Sequence, residues 1–283
     1  AMLLLPVIVG GLLIGAVYAL FSSGLTLIWG MMNVINFAHG EFVMLGMYVA
    51  YWTYVLLHGG PLVFGPLAAI LLFMLGIVVY LGLIKHVIRG SMLGQILSTF
   101  GLLFFLRYAA FWAFSANFVT LPDDLIGGSL DIGGILVSLP RLVAGAAALL
   151  LTIGLHVLLT RTALGSRLLA VAEDRDAAML MGIRPDRMQS LAWGLAGAAA
   201  GLAGALIATF FPISPVVGES LALIGFVVVT LGGFGSVPGA LLAGLLVGLV
   251  QAVSGLTWGP VYKDIVVYAL FVAVLWIRPQ GLL

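Results

Sequence analysis

Long apolar runs recur along this chain and restrict what it can fold into. Stretches of Leu, Val, Ile, Ala, Met and Gly alternate with short polar segments from one end to the other. An α-helix needs about 20 such residues to cross the hydrocarbon core of a bilayer. Only 7% of the 283 residues are charged, whereas soluble globular proteins carry roughly 25%. The chain is therefore predicted to be an all-α polytopic membrane protein.

The length of the chain predicts a single transmembrane domain over residues 1–283, with about eight or nine membrane-spanning helices. The apolar runs lack the regular alternation of a transmembrane β-barrel. The chain contains no cysteine, which excludes disulfides and thiolate metal sites. Its basic residues form no patch that could neutralise phosphates, so no nucleic-acid partner is expected.

The segment 31–41 interrupts the apolar pattern and is predicted to be a broken or re-entrant part of the helix bundle. It contains Asn33, Asn36, His39 and Glu41 between two long apolar runs. Polar groups without partners cost several kcal/mol each in hydrocarbon. These residues either line or gate a solute pathway, or satisfy one another and the neighbouring helix ends.

A second break is predicted at residues 232–239. Gly232, Gly233, Gly235 and Ser236 occur there with a proline, and such a composition cannot continue a regular helix. The segment is either a tight loop between two spans or a re-entrant turn beside the same pathway. In the fourth predicted span, Arg107 either places a costly charge near the bilayer centre or lies near the outer end of the span, where it snorkels to the interface.

The connection 161–187 differs in composition from the rest of the chain. It holds nine of the twenty-one charged residues, five of them arginines. The positive-inside rule places it in the cytoplasm, with Lys85 and Arg89 on the same side. If successive spans cross the membrane in alternating directions from this loop, the acidic loop 116–137 lies outside. The N-terminus then also lies outside, provided that residues 3–30 cross the membrane once.

Within this connection, residues 167–181 are predicted to form one helix. Ser166 is a suitable N-cap, no Gly or Pro follows until Gly182, and Gly182 occupies the C′ position that favours φ > 0. Pro185 is predicted to begin the next helix. The predicted helix is either a solvated amphipathic hairpin or an element that inserts into a groove of a partner protein.

The charged connection resembles the "EAA" loop of ABC importer permeases, which contacts the ATPase subunits. The resemblance implies an ATPase-coupling role for eight residues: Ala172, Glu173, Asp174, Arg175, Asp176, Ala177, Ala178 and Gly182. Residues 24–30 and 34–46 look like the signature of branched-chain amino-acid permeases of LivH type. Further matches occur at residues 120–122, 232–240, 262–264 and 279–283, so the resemblance is collinear over essentially the whole chain.

This resemblance implies a permease subunit of an ATP-driven importer in the bacterial inner membrane. The expected partners are two ABC ATPases, a second related permease or a copy of this chain, an extracytoplasmic substrate-binding protein and the lipid bilayer. Branched-chain amino acids are the default substrate in a family that also includes permeases for urea, amides and aromatic acids.

No enzyme chemistry is expected of the chain itself. Neither of its two lysines stands in a phosphate-binding loop, so the chain needs no cofactor, and ATP and Mg²⁺ are expected on the partner subunits. The alternative is an ion-coupled secondary transporter or channel for a small polar solute that uses His39 and Glu41. The charged loop favours the importer, since a carrier that acts alone has no need of a capped helix with this pattern.

Overall fold

The computed structural model describes residues 4–131, 136–277 and 281. Most of them are helical, and the helices are α1 (Leu4–Met32), α2 (His39–Leu57), α3 (Pro61–Val79), α4 (Lys85–Val87), α5 (Met92–Phe114), α6 (Leu139–Arg161), α7 (Ala163–Glu173), α8 (Arg175–Leu180), α9 (Pro185–Ile207), α10 (Val217–Gly232), α11 (Val237–Thr257) and α12 (Lys263–Ile277). A π-helical turn, Tyr80–Ile84, joins α3 to α4, so that Pro61–Val87 forms one continuous helix.

The predicted all-α polytopic architecture is confirmed. Seven helices in the described part of the chain are long and apolar enough to cross a membrane, with α3 to α4 forming one of them. If the shorter helices α10 and α12, of 16 and 15 residues, also cross the membrane, these seven become nine spans, the upper of the two predicted numbers.

Helix α1 lies at the centre of the bundle and packs along α11 over most of its length. A Cβ added at Gly15 would lie 2.6 Å from the carbonyl oxygen of Gly244, and one at Gly11 would lie 2.8 Å from that of Gly248. The glycines of α9 meet the backbones of α2 and α3 in the same way. The small residues spaced four apart therefore serve close helix packing, which is typical of membrane proteins.

The first predicted break spans residues 33–38, where the chain reverses direction. Asn33 has φ +52°, and α2 begins only at His39. The His39 Nε2 atom lies 2.7 Å from the carbonyl oxygen of Phe21, which is eleven residues before the end of α1 at Met32. At the helical rise this is about 16 Å. The segment thus runs back along α1, and α2 starts part-way through the depth of the bundle.

The connection between α5 and α6 contains two short strands that were not predicted from the sequence. Strand β1 (Ser129–Asp131) pairs antiparallel with β2 (Leu136–Ser138). Nearby, Val119 and Ile213 form an isolated antiparallel bridge that ties this loop to the connection between α9 and α10. Strands of three residues carry too little hydrophobic alternation to be recognised from sequence.

At the opposite end of the bundle, two cations share one carboxylate. Lys85 Nζ lies 3.0 Å from Asp186 Oδ2, and Arg175 Nη2 lies 2.9 Å from Asp186 Oδ1. These ion pairs join the end of α3–α4 to α8 and α9. The structure therefore brings Lys85 and the 161–187 connection to the same end of the bundle, as the positive-inside assignment requires.

Candidate functional site

The polar connection folds into a compact unit, here called the docking element (residues 163–182), and the prediction of one helix over 167–181 is wrong. Helix α7 begins earlier, because the Thr162 hydroxyl accepts a hydrogen bond of 3.1 Å from the backbone N–H of Gly165. Asp174 then leaves the helical conformation at φ −150°. Its Oδ1 accepts bonds of 2.9 Å from the N–H groups of Asp176 and Ala177. Asp174 is thus the N-cap of α8.

The end of the docking element follows the prediction. Gly182 has φ +80°, the left-handed conformation that suits glycine at a helix C′ position. The N–H of Gly182 bonds to the carbonyl of Met179 and that of Ile183 to the carbonyl of Ala178, both at 3.0 Å. Helix α9 then begins at Pro185, also as predicted.

One face of the docking element is buried against the ends of the membrane helices. Leu168 and Val171 of α7 share a hydrophobic cluster with Leu27 and Met31 of α1 and Val237 of α11. A cavity of about 480 Å³ adjoins this cluster, and its walls include Ala172 of α7, Asn33, and Gly235 and Ser236 of the glycine break. The element is therefore packed onto both of the helices whose ends flank the two breaks.

The other face of the docking element is open. Among the predicted coupling residues, Glu173, Asp174, Asp176, Ala177 and Gly182 are exposed, Ala172 and Arg175 are half-buried, and Ala178 is buried. Two apolar residues not among those predicted stand beside the acidic ones: Leu180, 90% exposed, and Met181. Their position directly before Gly182 is the sequence signal that could have identified them.

A second polar cluster lies inside the bundle, on α2, α5 and α10. Arg107 donates to Glu41 Oε1 from Nη2 at 2.7 Å and from Nε at 3.1 Å. Its Nη1 donates to Glu219 Oε2 at 3.0 Å. The side chains of Glu41 and Arg107 are 1% and 12% exposed, whereas that of Glu219 is 64% exposed. The guanidinium is thus held between two carboxylates, a pairing that the snorkelling interpretation of Arg107 did not include.

This ion triad lies deep in the bundle. Glu41 is in the first turn of α2, which begins beside Phe21 in the middle of α1. A Cβ added at Gly218, in the first turn of α10, would lie 2.6 Å from Glu41 Oε2. The N-terminal ends of α2 and α10 therefore meet at the Glu41 carboxylate, where both helix dipoles favour a negative charge.

The remaining polar residues of the first break bond to backbone rather than to one another's side chains. Asn36 Oδ1 accepts from the N–H of Ala38 at 3.1 Å, and His39 bonds to the carbonyl of Phe21. The N–H of Asn33 bonds to the carbonyl of Trp29. No hydrogen bond joins these side chains to one another in the described part of the chain, whereas the bond from Asn36 to Ala38, the N-cap residue of α2, agrees with the predicted contact to a neighbouring helix end. His39 and Glu41 also lie on α2 rather than in the break itself.

The glycine break is a tight turn bound to α1. Gly233 and Gly235 have φ +93° and +87°, which side chains rarely adopt. The N–H of Gly235 bonds to Thr26 Oγ1 at 2.8 Å. Ser236 Oγ accepts from the N–H of Gly239 at 3.0 Å and caps α11. The structure thus places this turn near the docking element and at a distance from the ion triad, with α1 running between them.

Comparison with known proteins gives a consistent result over the whole length. The family model described as "Branched-chain amino acid transport system / permease component" matches residues 7–275. The chain is 31% identical to the high-affinity branched-chain amino acid transport system permease protein BraD of Pseudomonas aeruginosa, over 98% of this chain and 94% of that protein. It is also 31% identical to the corresponding protein LivH of Escherichia coli K12, over 96% and 93% of the two chains. Both the docking element and the ion triad lie within the matched region.

Proposed function

The chain belongs to the family of branched-chain amino acid transport permease components, and we propose that it is the membrane-spanning subunit of an ATP-driven importer for branched-chain or related amino acids. It is a multi-pass membrane protein and a permease component of a transport system. In the bacterial inner membrane it would associate with two ABC ATPases, which bind ATP and Mg²⁺. A second permease, related or identical, and an extracytoplasmic substrate-binding protein complete the proposed complex.

The observation that carries this proposal is the two-sided docking element. Its open face combines the carboxylates of Glu173, Asp174 and Asp176 with the exposed apolar side chains of Leu180 and Met181. An apolar anchor next to charged groups is the combination by which a short helix binds a groove of a partner. We infer that the ATPase subunit binds this face.

The inner face of the docking element provides the mechanical link to the membrane helices. Leu168 and Val171 pack on Leu27, Met31 and Val237. A close-packed interior transmits displacement rather than absorbing it. A movement of the ATPases would therefore shift the cytoplasmic ends of α1 and α11, which flank the break at 33–38 and the glycine break at 233–236.

The ion triad indicates which face of the subunit borders the transport pathway. Glu219 is held by Arg107 at the depth of the α2 start, yet its side chain is largely exposed. A carboxylate facing lipid at this depth would be costly, so this face borders water or the second permease. The proposed pathway elements stay Asn33, Asn36, His39, Glu41, Gly232, Gly233, Gly235 and Ser236. Glu41 contributes to this face through Arg107, whereas Asn33, Gly235 and Ser236 border the cavity beside the docking element.

The ion-coupled alternative finds no supporting geometry. His39 and Glu41 are buried, and each is engaged by a neighbour: His39 by the carbonyl of Phe21 and Glu41 by Arg107. A carrier driven through these residues would need at least one of them open to water in order to exchange a proton. The importer is therefore the function that the geometry supports best.

Reconstitution of the complex in liposomes tests the coupling role. Asp174→Ala removes the N-cap of α8, which should cost about 0.5–2 kcal/mol locally and loosen the helix. Leu180→Ser removes the apolar anchor without touching the buried face. Both variants should reduce leucine uptake per ATP hydrolysed by several-fold, while the complex retains its unfolding temperature. Uptake and phosphate release are measured on the same vesicles.

Leu62→Ser is the matched control, because Leu62 is an equally exposed leucine at the opposite end of the bundle. It should keep the wild-type ratio of uptake to hydrolysis. Wild-type coupling in both docking-element variants would refute the role given to this surface. Leucine uptake by the permease without any ATPase, driven by a proton gradient, would refute the importer itself.

A further inference from the structure

A cavity of about 490 Å³ opens at the end of the subunit opposite the docking element, and its walls include Val217 and Ser220, which stand on either side of Glu219 in α10. It lies between α1, α6, α10, α11, the start of α12 and the connection from α9 to α10. Small-molecule sites in proteins occupy roughly 300–1,000 Å³ and are mostly apolar with a few polar groups. The walls here follow this pattern, with Ile14, Val17, Leu221 and Ile224 forming an apolar side.

The polar side of the cavity includes a chain of hydrogen bonds that ends on a carboxylate. The Tyr18 hydroxyl donates to Gln251 Oε1 at 2.8 Å, and Gln251 Nε2 donates to Asp264 Oδ1 at 2.6 Å. Both ends of the buried Gln251 amide are used, and because a carboxylate only accepts hydrogen bonds, Nε2 must face Asp264. The chain holds Asp264 in the wall and occupies one of its two oxygens.

Two cations line the same cavity. Arg141 stands over the ring of Phe210, with 6.0 Å between the guanidinium carbon and the ring centroid, and Lys263 precedes Asp264 in the chain. Among the residues that the structure describes, neither cation forms an ion pair with a carboxylate. The cavity therefore presents a carboxylate, two cations and an apolar wall together.

We propose that this outer cavity binds a free α-amino acid with an apolar side chain. The ammonium group of the ligand pairs with Asp264, its carboxylate pairs with Arg141 and Lys263, and its side chain lies on the apolar wall. The inference deepens the proposed function and rests on it for the substrate class. The cavity faces the side on which a substrate-binding protein would release its ligand.

The test measures direct binding of radiolabelled leucine to the purified transporter complex without its substrate-binding protein. Isocaproate, which lacks the ammonium group, and isoamylamine, which lacks the carboxylate, serve as competitors. Asp264→Asn retains the acceptor for Gln251 but removes the charge. It should weaken leucine binding roughly tenfold to a hundredfold and leave isocaproate competition unchanged, since only leucine loses a charge-assisted hydrogen bond.

Removal of the cations should give the opposite pattern. The combined Arg141→Gln and Lys263→Gln variant should weaken leucine binding by a similar factor and leave isoamylamine competition unchanged. Arg89→Gln is the control, because Arg89 is an exposed arginine at the other end of the bundle. It should bind leucine like the wild type.

Several results would overturn the inference. One is the absence of leucine binding to the wild-type complex; another is an equal loss of leucine and isocaproate in Asp264→Asn. A third is a co-purified zwitterionic phospholipid, detected by native mass spectrometry, that leucine does not displace. ATP-driven uptake on the same preparations tests the function separately. Uptake without direct binding would refute only the cavity, and binding without uptake only the importer.

Discussion

The charge pair of Glu41 and Arg107 allows a quantitative prediction about stability. Arg107→Met removes both hydrogen bonds to Glu41 Oε1, at 2.7 and 3.1 Å, and leaves a carboxylate that is 1% exposed without its cation. Removal of one partner from a buried ion pair costs roughly 3–5 kcal/mol, because the remaining charge has been taken out of water without compensation. Arg107→Met should therefore be among the most destabilising substitutions in the bundle.

Three companion variants isolate the cause of that loss. Glu41→Gln keeps a carbonyl acceptor for Arg107 and should cost roughly 1.5–3 kcal/mol, the worth of a charged hydrogen bond. Glu219→Gln should cost less than about 1 kcal/mol, because Glu219 is 64% exposed. The combined Glu41→Gln and Arg107→Met variant should be more stable than Arg107→Met alone, since it leaves no buried charge.

The assay is denaturant unfolding of the purified protein in detergent micelles, followed by the fluorescence of its six tryptophans. The midpoint of the transition is compared across the four variants and the wild type. Two outcomes would refute the reasoning: a wild-type midpoint for Arg107→Met, or an equal loss for Glu219→Gln and Arg107→Met. The first outcome would mean that the pair of Glu41 and Arg107 is not formed. The second would mean that the net charge of the whole triad, rather than the buried pair, determines the stability.

The same assay checks two predictions about packing. Gly15→Ala should cost about 1–3 kcal/mol, because its Cβ would lie 2.6 Å from the Gly244 carbonyl oxygen; Gly10→Ala in the same helix meets nothing within 4 Å and should be neutral or stabilising by up to about 1 kcal/mol. Equal midpoints for the two glycine variants would contradict the tight contact of α1 with α11. Tyr80→Phe should cost roughly 1–3 kcal/mol, because it removes the 2.8 Å hydrogen bond to buried Gln189 Oε1. An unchanged midpoint would show that water replaces the hydroxyl.

The docking element shows where local sequence signals suffice and where they compete. Gly182 and Pro185 end and begin helices as predicted, because each depends on the backbone of its own residue. Ser166 and Asp174 are both good N-cap residues, and the local pattern favours Ser166 because no Gly or Pro follows it until Gly182. The structure uses Thr162 and Asp174 instead. In this arrangement Leu168 and Val171 are buried against α1, a contact that is not visible in the local pattern.

The sequence by itself determined the membrane-spanning helical class, the two breaks and the polar connection 161–187. These follow from the length of apolar runs, from glycine and proline, and from the clustering of charge, all of which act over a few residues. Only the tertiary structure decided that Glu41, Arg107 and Glu219 meet, since 66 and 112 residues separate Arg107 from its two partners. It likewise brought Tyr18, Gln251 and Asp264 into one chain of hydrogen bonds. Pairings of this range depend on how helices cross in three dimensions, which no local pattern specifies.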